Sequence, residues 1–161
     1  MWPFSRKKTL GIKQTEDGGF SFDITQEEKQ EIDKMFDLLK GYRFHPSIAD
    51  KLKHGITAKG LAYYAADQIS TAGFASQKNS REECVKKAIA SISKAYSIYQ
   101  LPIYIYDLAC YLEMASRSDE AKNMFKMFLK RQADFRPEQL DKIILGDRDA
   151  SEAIQHATTK G

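Results

Sequence analysis

From Thr25 onward, apolar residues recur at the spacing that is typical of amphipathic helices. Ile32, Met35, Phe36 and Leu39 follow the i, i+3, i+4, i+7 pattern, and later segments of the chain repeat this period. Short polar stretches that contain glycine, proline or serine separate the periodic segments. Because an amphipathic helix must bury its apolar face against another element, the sequence predicts an all-α fold of antiparallel helix hairpins with seven or eight helices.

Capping residues, prolines and glycines predict where these helices begin and end. Thr25 with Glu28, and Ser80 with Glu83, have the spacing of a capping box, in which two side chains satisfy free backbone amides reciprocally. The predicted helices cover about residues 25–41, 46–55, 57–71, 80–99, 102–116, 120–133, 137–146 and 150–157.

Three of the predicted boundaries rest on particular residues or segments. Gly55 is expected to stop the helix over residues 46–55. The small polar residues of segment 71–79 are expected to form a long connection before the next helix. Ser118 or Asp119 is expected to cap the helix over residues 120–133.

The first part of the chain carries a different pattern. Apolar and polar residues alternate on either side of an Asp17-Gly18 pair, with the apolar positions at Leu10, Ile12, Phe20, Phe22 and Ile24. An Asp-Gly pair supplies the positive φ angles that hairpin turns need, so a short β-hairpin is predicted. Such a hairpin must pack on the helices or pair with another strand to be stable. Residues 1–13 are interpreted as a basic aromatic N-terminal arm, and residues 14–161 as a single helical domain.

The N-terminal arm accounts for the net charge. The chain has 25 Lys and Arg against 22 Asp and Glu, a formal net charge of +3. The arm contains four basic residues and no acid, so the other 148 residues have a net charge of −1. Trp2, Phe4, Arg6, Lys7 and Lys8 have the composition that contacts the headgroup region of a membrane. The alternative is a solvent-exposed basic tail.

Cysteine usage and hydropathy favour a cytoplasmic location, with peripheral membrane contact through the arm as an addition. Cys84 and Cys110 stand alone inside apolar helical patterns, which is typical of small core residues in a reducing compartment. No stretch approaches the ~18 apolar residues of a membrane span. Arg6, Lys7 and Lys8 lead into no apolar segment of the kind that secretory signals contain.

The segment from Pro102 to Pro137 carries a spaced set of residues on two predicted helices. Ile105, Leu108, Ala109 and Leu112 lie on the first helix, and Ala121 and Phe125 lie on the second. This set resembles a tetratricopeptide repeat, in which small residues let two antiparallel helices approach closely. The pattern departs from the family at Leu112, which takes an aromatic position.

Two further features set the extent of the resemblance. Phe128 stands where the family has a small residue, and the late position of Pro137 implies a longer second helix. A partial echo occurs at Ala88, Ile92 and Ala95, and Ala88 precedes Ala121 by 33 residues, near the family period of about 34. The tetratricopeptide-like portion is therefore placed at about residues 80–146. The resemblance implies a curved helical scaffold that holds a peptide or a partner protein, and it implies no chemistry.

Two groups of residues are candidates for partner contact. Lys122, Lys126 and Lys130 recur every four residues and so share one helix face, which is suited to an acidic peptide, a phosphate or a terminal carboxylate. The alternative is a solvated outer face. Five tyrosines also fall within sixteen residues, and Tyr99 and Tyr106 are expected to be the exposed ones. The alternative for this cluster is packing between helices.

The sequence offers little for catalysis or nucleic-acid binding. His45, His54 and His156 lie far apart, and no metal-ligand spacing, phosphate-binding glycine loop or nucleophile motif occurs, so neither enzymatic activity nor a cofactor is expected. Acidic residues are interleaved with the basic ones, which disfavours nucleic acid as the partner.

The sequence thus predicts a non-enzymatic protein–protein interaction module that acts as an adaptor, scaffold or chaperone-like protein. The expected contact residues are Tyr99, Tyr106, Lys122, Lys126 and Lys130. The alternative is a peripheral membrane-associated factor that is tethered by the N-terminal arm. Exposed end faces of a short helical stack would also allow self-association.

Overall fold

Six α-helices make up most of the chain that the computed structural model describes, which comprises residues 12–14, 20–146, 154 and 158. The helices are α1 (Gln26–Leu38), α2 (Pro46–Phe74), α3 (Lys78–Ile98), α4 (Pro102–Met114), α5 (Ser118–Asp134) and α6 (Gln139–Leu145). Before them, the strands β1 (Ile12–Gln14) and β2 (Phe20–Phe22) pair antiparallel. The helical fold class is confirmed.

Helix α1 begins at the predicted capping box. The hydroxyl of Thr25 accepts a hydrogen bond from the backbone amide of Glu28 at 3.1 Å, and the Glu28 carboxylate accepts one from the amide of Thr25 at 2.9 Å. Ile32 and Met35 are buried as predicted, whereas Phe36 is at the surface. The capping box therefore fixes where the helical part of the chain starts.

Helix α2 is continuous over 29 residues, so the predicted stop at Gly55 is wrong. A Cβ atom at Gly55 would lie 2.5 Å from Cδ1 of Ile144, and one at Gly60 would lie 2.5 Å from Cα of Ile32. The two glycines are thus places where α6 and α1 approach the backbone of α2. A glycine that permits close helix packing has the same sequence signature as one that ends a helix, and tertiary contact decides between them.

The connection between α2 and α3 is much shorter than the sequence predicts. Helix α2 ends at Phe74 and α3 begins at Lys78, so Ser80 lies inside a helix and caps nothing. Both helices carry small residues that are fully buried in the core, including Ala58, Ala65 and Ala88. Because these residues allow the backbones to approach, packing extends both helices through a segment of weak helical propensity.

The α4–α5 hairpin follows the prediction more closely. Pro102 occupies the first turn of α4, and α5 is longer than α4, as the late position of Pro137 predicts. The predicted cap at Ser118 or Asp119 is wrong, because Arg117 holds the N-cap position without a side-chain hydrogen bond to the helix. Gly146 ends α6 with a φ angle of 67°, which glycine adopts without strain.

The packing order of the helices creates a groove. Helix α2 packs against α1, α3 and α6, while α3 and α5 both pack against α4. Helix α4 thus lies between them, and its buried side chains include Ile105, Leu108 and Leu112. Within the described residues, no helix is both long enough and apolar enough to cross a bilayer.

Candidate functional site

The end of α3, the start of α4 and the C-terminal half of α5 enclose a groove with a volume of about 720 Å³, called groove 1 here. Its lining residues are Tyr96, Gln100, Pro102, Ile105, Lys126, Met127, Lys130, Arg131, Asp134 and Phe135. Helix α4 supplies part of the apolar floor, and α5 supplies the charged wall. The groove is therefore an apolar depression with a mostly basic edge.

The period of α5 explains the charged wall. Lys126, Lys130 and Asp134 are four residues apart, and Met127 and Arg131 lie beside them on the same face. The buried residues of α5, Ala121 and Met124, lie on the adjoining face, since Met124 is three residues before Met127 and seven before Arg131. One amphipathic helix thus places its cationic side chains over the apolar residues of its neighbour.

No carboxylate among the described residues forms a salt bridge with the cationic side chains of groove 1. Lys126, Lys130 and Arg131 are exposed, and none of them makes a salt bridge to any residue in the described part of the chain. Asp134 is the one acid in the lining. Three basic groups against one carboxylate give groove 1 a positive potential that attracts anionic groups.

Two of the three predicted lysines line groove 1. Lys126 and Lys130 contribute to its wall, whereas Lys122 is exposed on the same helix outside the groove. Tyr106 is 41% exposed, as predicted. Its ring packs on Phe125 and Phe128, with centroid distances of 5.8 and 5.2 Å, and does not line groove 1.

The prediction that Tyr99 is exposed is wrong. Its side chain is half-buried, and its hydroxyl donates a hydrogen bond to Oδ1 of Asp141 at 2.5 Å. Burial and this carboxylate raise the pKa of the Tyr99 hydroxyl. Tyr99 therefore ties α3 to α6. The predicted membrane-contact residues Trp2, Phe4, Arg6, Lys7 and Lys8 lie outside the described residues, as does most of the predicted helix over 150–157.

Sequence reasoning missed the aromatic part of groove 1. Tyr96, one of the five clustered tyrosines, is buried, and it also forms one side of the groove. Phe135 follows the last residue of α5 and was not considered. Both aromatic residues lie near the end of a helix, beside a junction that contains proline. This position could have indicated the groove, because an aromatic side chain at a helix end can face an open edge.

A buried ion pair lies on the other side of α3. Nζ of Lys94 donates hydrogen bonds to Oε1 of Glu28 at 2.9 Å and to the carbonyl oxygen of Asp23 at 2.7 Å. The Ser91 hydroxyl donates to Oε2 of Glu28 at 2.5 Å. Burial alone would raise the pKa of Glu28, but the hydrogen bonds from Lys94, Ser91 and the Thr25 amide outweigh it and hold that pKa below its usual value. Glu28 is 1% exposed, so this cluster is structural and not open to a substrate.

A second carboxylate is perturbed on α4. Burial raises the pKa of Asp107 to about 6, and the same helix carries Tyr111, whose pKa burial and Asp107 raise to about 12. Among the described residues, no group of three or more His, Cys, Asp or Glu side chains is arranged to hold a metal ion.

Comparison with protein-family models, curated proteins and solved structures finds no match for this chain. The fold and the site define a helical domain of packed antiparallel hairpins with an open basic groove. The residues of groove 1 are therefore the basis for inferring what the protein does.

Proposed function

We propose that this protein is a non-enzymatic protein–protein interaction module that binds an acidic segment of a partner protein in groove 1. The observation that carries this proposal is the meeting of an apolar floor with three cationic side chains, none of which makes a salt bridge within the described part of the chain. Lys126, Lys130 and Arg131 supply the charge, and Met127 and Phe135, which are partly exposed, supply apolar contact. An adaptor, scaffold or chaperone-like role follows from such a surface.

The charges and the floor of groove 1 make different contributions to binding. An exposed ion pair contributes about 0.2–1 kcal/mol, whereas burying one large apolar side chain contributes about 1.5–3 kcal/mol. The apolar floor therefore supplies most of the affinity, and the cationic wall selects acidic segments and speeds their approach. A suitable partner segment combines acidic residues with at least one aromatic or branched apolar residue.

The arrangement of α3, α4 and α5 supports a tetratricopeptide-like scaffold as the setting for this groove. Ala109 and Ala121, at the repeat positions, are both fully buried between α4 and α5. Helices that stack in this way leave grooves between alternate members, which repeat proteins use to bind extended segments of their partners.

The test is a comparison of charge reversals on one face of α5. The probe is a peptide with a central phenylalanine flanked on each side by two glutamates, titrated by isothermal calorimetry. Lys126→Glu is expected to weaken binding at least fivefold, and Lys126→Glu with Lys130→Glu at least tenfold. Lys122→Glu is the matched control, because it makes the same charge change on the same helix outside groove 1. Equal losses for Lys122→Glu and Lys126→Glu would exclude binding in groove 1.

The second candidate, a peripheral membrane-associated factor, rests on the sequence of the N-terminal arm. Trp2, Phe4, Arg6, Lys7 and Lys8 are the residues that would contact the membrane. Deleting residues 1–8 tests it through co-sedimentation with anionic vesicles at low salt. Loss of co-sedimentation with unchanged peptide binding would favour the tether, and unchanged co-sedimentation would exclude it.

A further inference from the structure

The middle of α4 carries a carboxylate that nothing around it neutralises. Asp107 is half-buried, and it makes neither a salt bridge nor a hydrogen bond to any residue in the described part of the chain. It lies on a different side of α4 from groove 1, because Ile105, which lines groove 1, is two positions or about 200° away around the helix. Burying a charge without a partner costs free energy. The fold alone therefore gives no reason for an acid at this position.

Two tyrosines share the face of α4 that carries Asp107. Tyr104 lies three positions before it and Tyr111 four positions after it, and each is more than nine-tenths buried. Burial and the charge of Asp107 raise the pKa of both hydroxyls, that of Tyr111 to about 12. Neither hydroxyl has a hydrogen-bond partner among the described residues, and no side-chain oxygen there is both fully buried and unsatisfied. The two hydroxyls and the carboxylate therefore reach solvent with unused hydrogen-bonding capacity.

Helix α2 forms the other side of this surface. Tyr63 of α2 is 49% exposed, and it adds to the effects of burial and Asp107 that raise the pKa of Tyr104, so the two tyrosines are neighbours. Gly73 and Met114 are neighbours as well, because both line a groove that α3 forms with the end of α2 and the α4–α5 turn. The members of each pair are 41 positions apart in sequence. Helices α2 and α4 thus run side by side in the same direction.

The same offset shows what stands opposite Asp107. It places Ala66 and Ser70 of α2 across from Asp107 and Tyr111, and both of these small residues are exposed. Small side chains leave room for a ligand group between the two helices. Four residues are called the Asp107 cluster here: Tyr63, Tyr104, Asp107 and Tyr111.

The two helical segments that carry the Asp107 cluster have negative charge only. Residues 60–74 of α2 and 102–114 of α4 contain no lysine, arginine or histidine, although the chain has 25 Lys and Arg. Their charged residues are Asp67, Asp107 and Glu113. Lys59 precedes the first segment, but its Nζ atom lies by the end of α6, 3.2 Å from the position of a Cβ atom at Gly146. These segments therefore attract a cation.

A carboxylate among aromatic rings is suited to an organic cation. A guanidinium group donates paired hydrogen bonds to a carboxylate, and its plane stacks on aromatic rings such as the exposed ring of Tyr63. Apolar surface continues on both sides, since Ile103 and Met114 are exposed on the same face of α4 as Asp107. A metal ion fits less well, because no group of three or more His, Cys, Asp or Glu side chains converges within the described residues.

We propose that the Asp107 cluster binds the guanidinium group of an arginine in a partner protein, with apolar neighbours of that arginine lying on Ile103 and Met114. Asp107 accepts the hydrogen bonds of the guanidinium, and the ring of Tyr63 covers one face of it. The bound arginine supplies the positive charge that Asp107 lacks in the chain itself. This inference does not depend on groove 1, which has the opposite charge and lies on another side of α4.

Two peptides test the inference by isothermal calorimetry with the full chain. Each has a central residue between two leucines in a glycine–serine background, and that residue is arginine in one and citrulline, its uncharged analogue, in the other. The arginine peptide is expected to bind at least tenfold more tightly, because a charged donor to a carboxylate contributes more than a neutral one. Asp107→Asn should remove this difference. Glu113→Gln, the matched control at an exposed position of α4, should keep it within threefold.

Tyr63 provides a second, independent test. Tyr63→Ala removes the ring and should weaken binding of the arginine peptide at least threefold, whereas Tyr63→Phe keeps the ring and should leave the affinity within twofold of the original. Because Tyr63 is at the surface, neither change is expected to unfold the chain. Equal affinities in these two variants would overturn the contact between the ring and the guanidinium.

The remaining outcomes separate a binding role from a structural one. A structural role for Asp107 predicts that Asp107→Asn lowers the melting temperature, whereas a binding role predicts lost affinity in a variant that melts no lower than the original. Equal binding of the two peptides, or an arginine preference that survives Asp107→Asn, would overturn the proposal. N-acetylarginine amide that binds as tightly as the arginine peptide would overturn the partner protein in favour of a small cation. Asp107→Asn should leave binding of the glutamate–phenylalanine peptide within twofold, which keeps this test separate from that of groove 1.

Discussion

Lys94 and Glu28 form an ion pair at 2.9 Å, although they are 66 residues apart in sequence and Glu28 is almost completely buried. The same lysine donates to the carbonyl oxygen of Asp23, which directly follows β2. One ammonium group therefore binds both the start of α1 and the chain that leads into it. This pair fixes the N-terminal part of the fold on α3.

Removing the lysine is expected to be costly because it leaves a buried carboxylate unpaired. Lys94→Met should lower the free energy of unfolding by about 3–5 kcal/mol. The matched control is Lys34→Met, which breaks the exposed pair with Glu31 and should cost less than about 1 kcal/mol. Urea denaturation of both variants measures the difference. Similar losses in the two variants would contradict a buried, energetically coupled pair.

The Lys94–Glu28 pair predicts how the free energy of unfolding depends on pH. The pKa of Glu28 is lower in the folded chain than in the unfolded chain, so its contribution is present above the unfolded value. That contribution is lost as the pH falls toward the folded pKa. Glu28→Gln should therefore be most destabilising at neutral pH and approach the wild type near pH 3. A stability difference that stays constant between neutral pH and pH 3 would contradict this assignment.

Asp107 is expected to have the opposite pH dependence. Burial raises its pKa to about 6, so the folded chain disfavours the ionised form and loses stability as the pH rises from about 4 through 6. Asp107→Asn should raise the free energy of unfolding by about 1–2 kcal/mol at pH 8 and have little effect at pH 4. Asp67→Asn, at an exposed position of α2, is the control. A gain that is equal at both pH values would indicate another cause.

Two glycines of α2 are expected to respond in opposite directions to the same substitution. At Gly60 a methyl group would lie 2.5 Å from Cα of Ile32, whereas at Gly73 it would meet nothing within 4 Å. Alanine favours the helix by up to ~1 kcal/mol over glycine. Gly73→Ala should therefore raise the melting temperature, and Gly60→Ala should cost about 1–3 kcal/mol through overpacking. A stabilising Gly60→Ala would show that α1 does not pack on α2 at this point.

The hydrogen bond between Tyr99 and Asp141 predicts a local effect. Tyr99→Phe removes the donor and should cost about 1–2 kcal/mol. Because the bond joins α3 to α6, the amide protons of α6 should exchange faster while those of α4 keep their protection. Tyr42→Phe, at a residue that is 53% exposed, is the control and should leave exchange in α6 unchanged. Uniform acceleration across the chain would contradict a local role.

The sequence predicted the features that depend on neighbouring residues. The capping box at Thr25 and the start of α4 at Pro102 are local signals, and both are confirmed. The stop at Gly55 failed because its meaning depends on Ile144, which is 89 positions away. A one-dimensional pattern cannot distinguish a helix stop from a site of close packing.

The same limit applies to the groove. The period of α5 showed that Lys126 and Lys130 share a face, but it could not show that Tyr96 lies across from them. Tyr99 was misjudged because its partner, Asp141, belongs to another helix. The groove that α3 forms with the α4–α5 turn was not predicted, because its residues come from separate parts of the sequence. A site formed between helices can be predicted only when the packing of those helices is known, and that packing depends on contacts between residues far apart in the sequence.

The short connection between α2 and α3 also has a kinetic consequence. Three residues separate two long antiparallel helices, so their pairing closes a very small loop and loses little chain entropy. Contacts of low sequence separation form early in folding. We expect this hairpin to be the nucleus on which α1 and α6 dock later from opposite ends of the chain. Substitutions at Ala88 should then slow folding, and Ile144→Val should mainly speed unfolding in stopped-flow measurements.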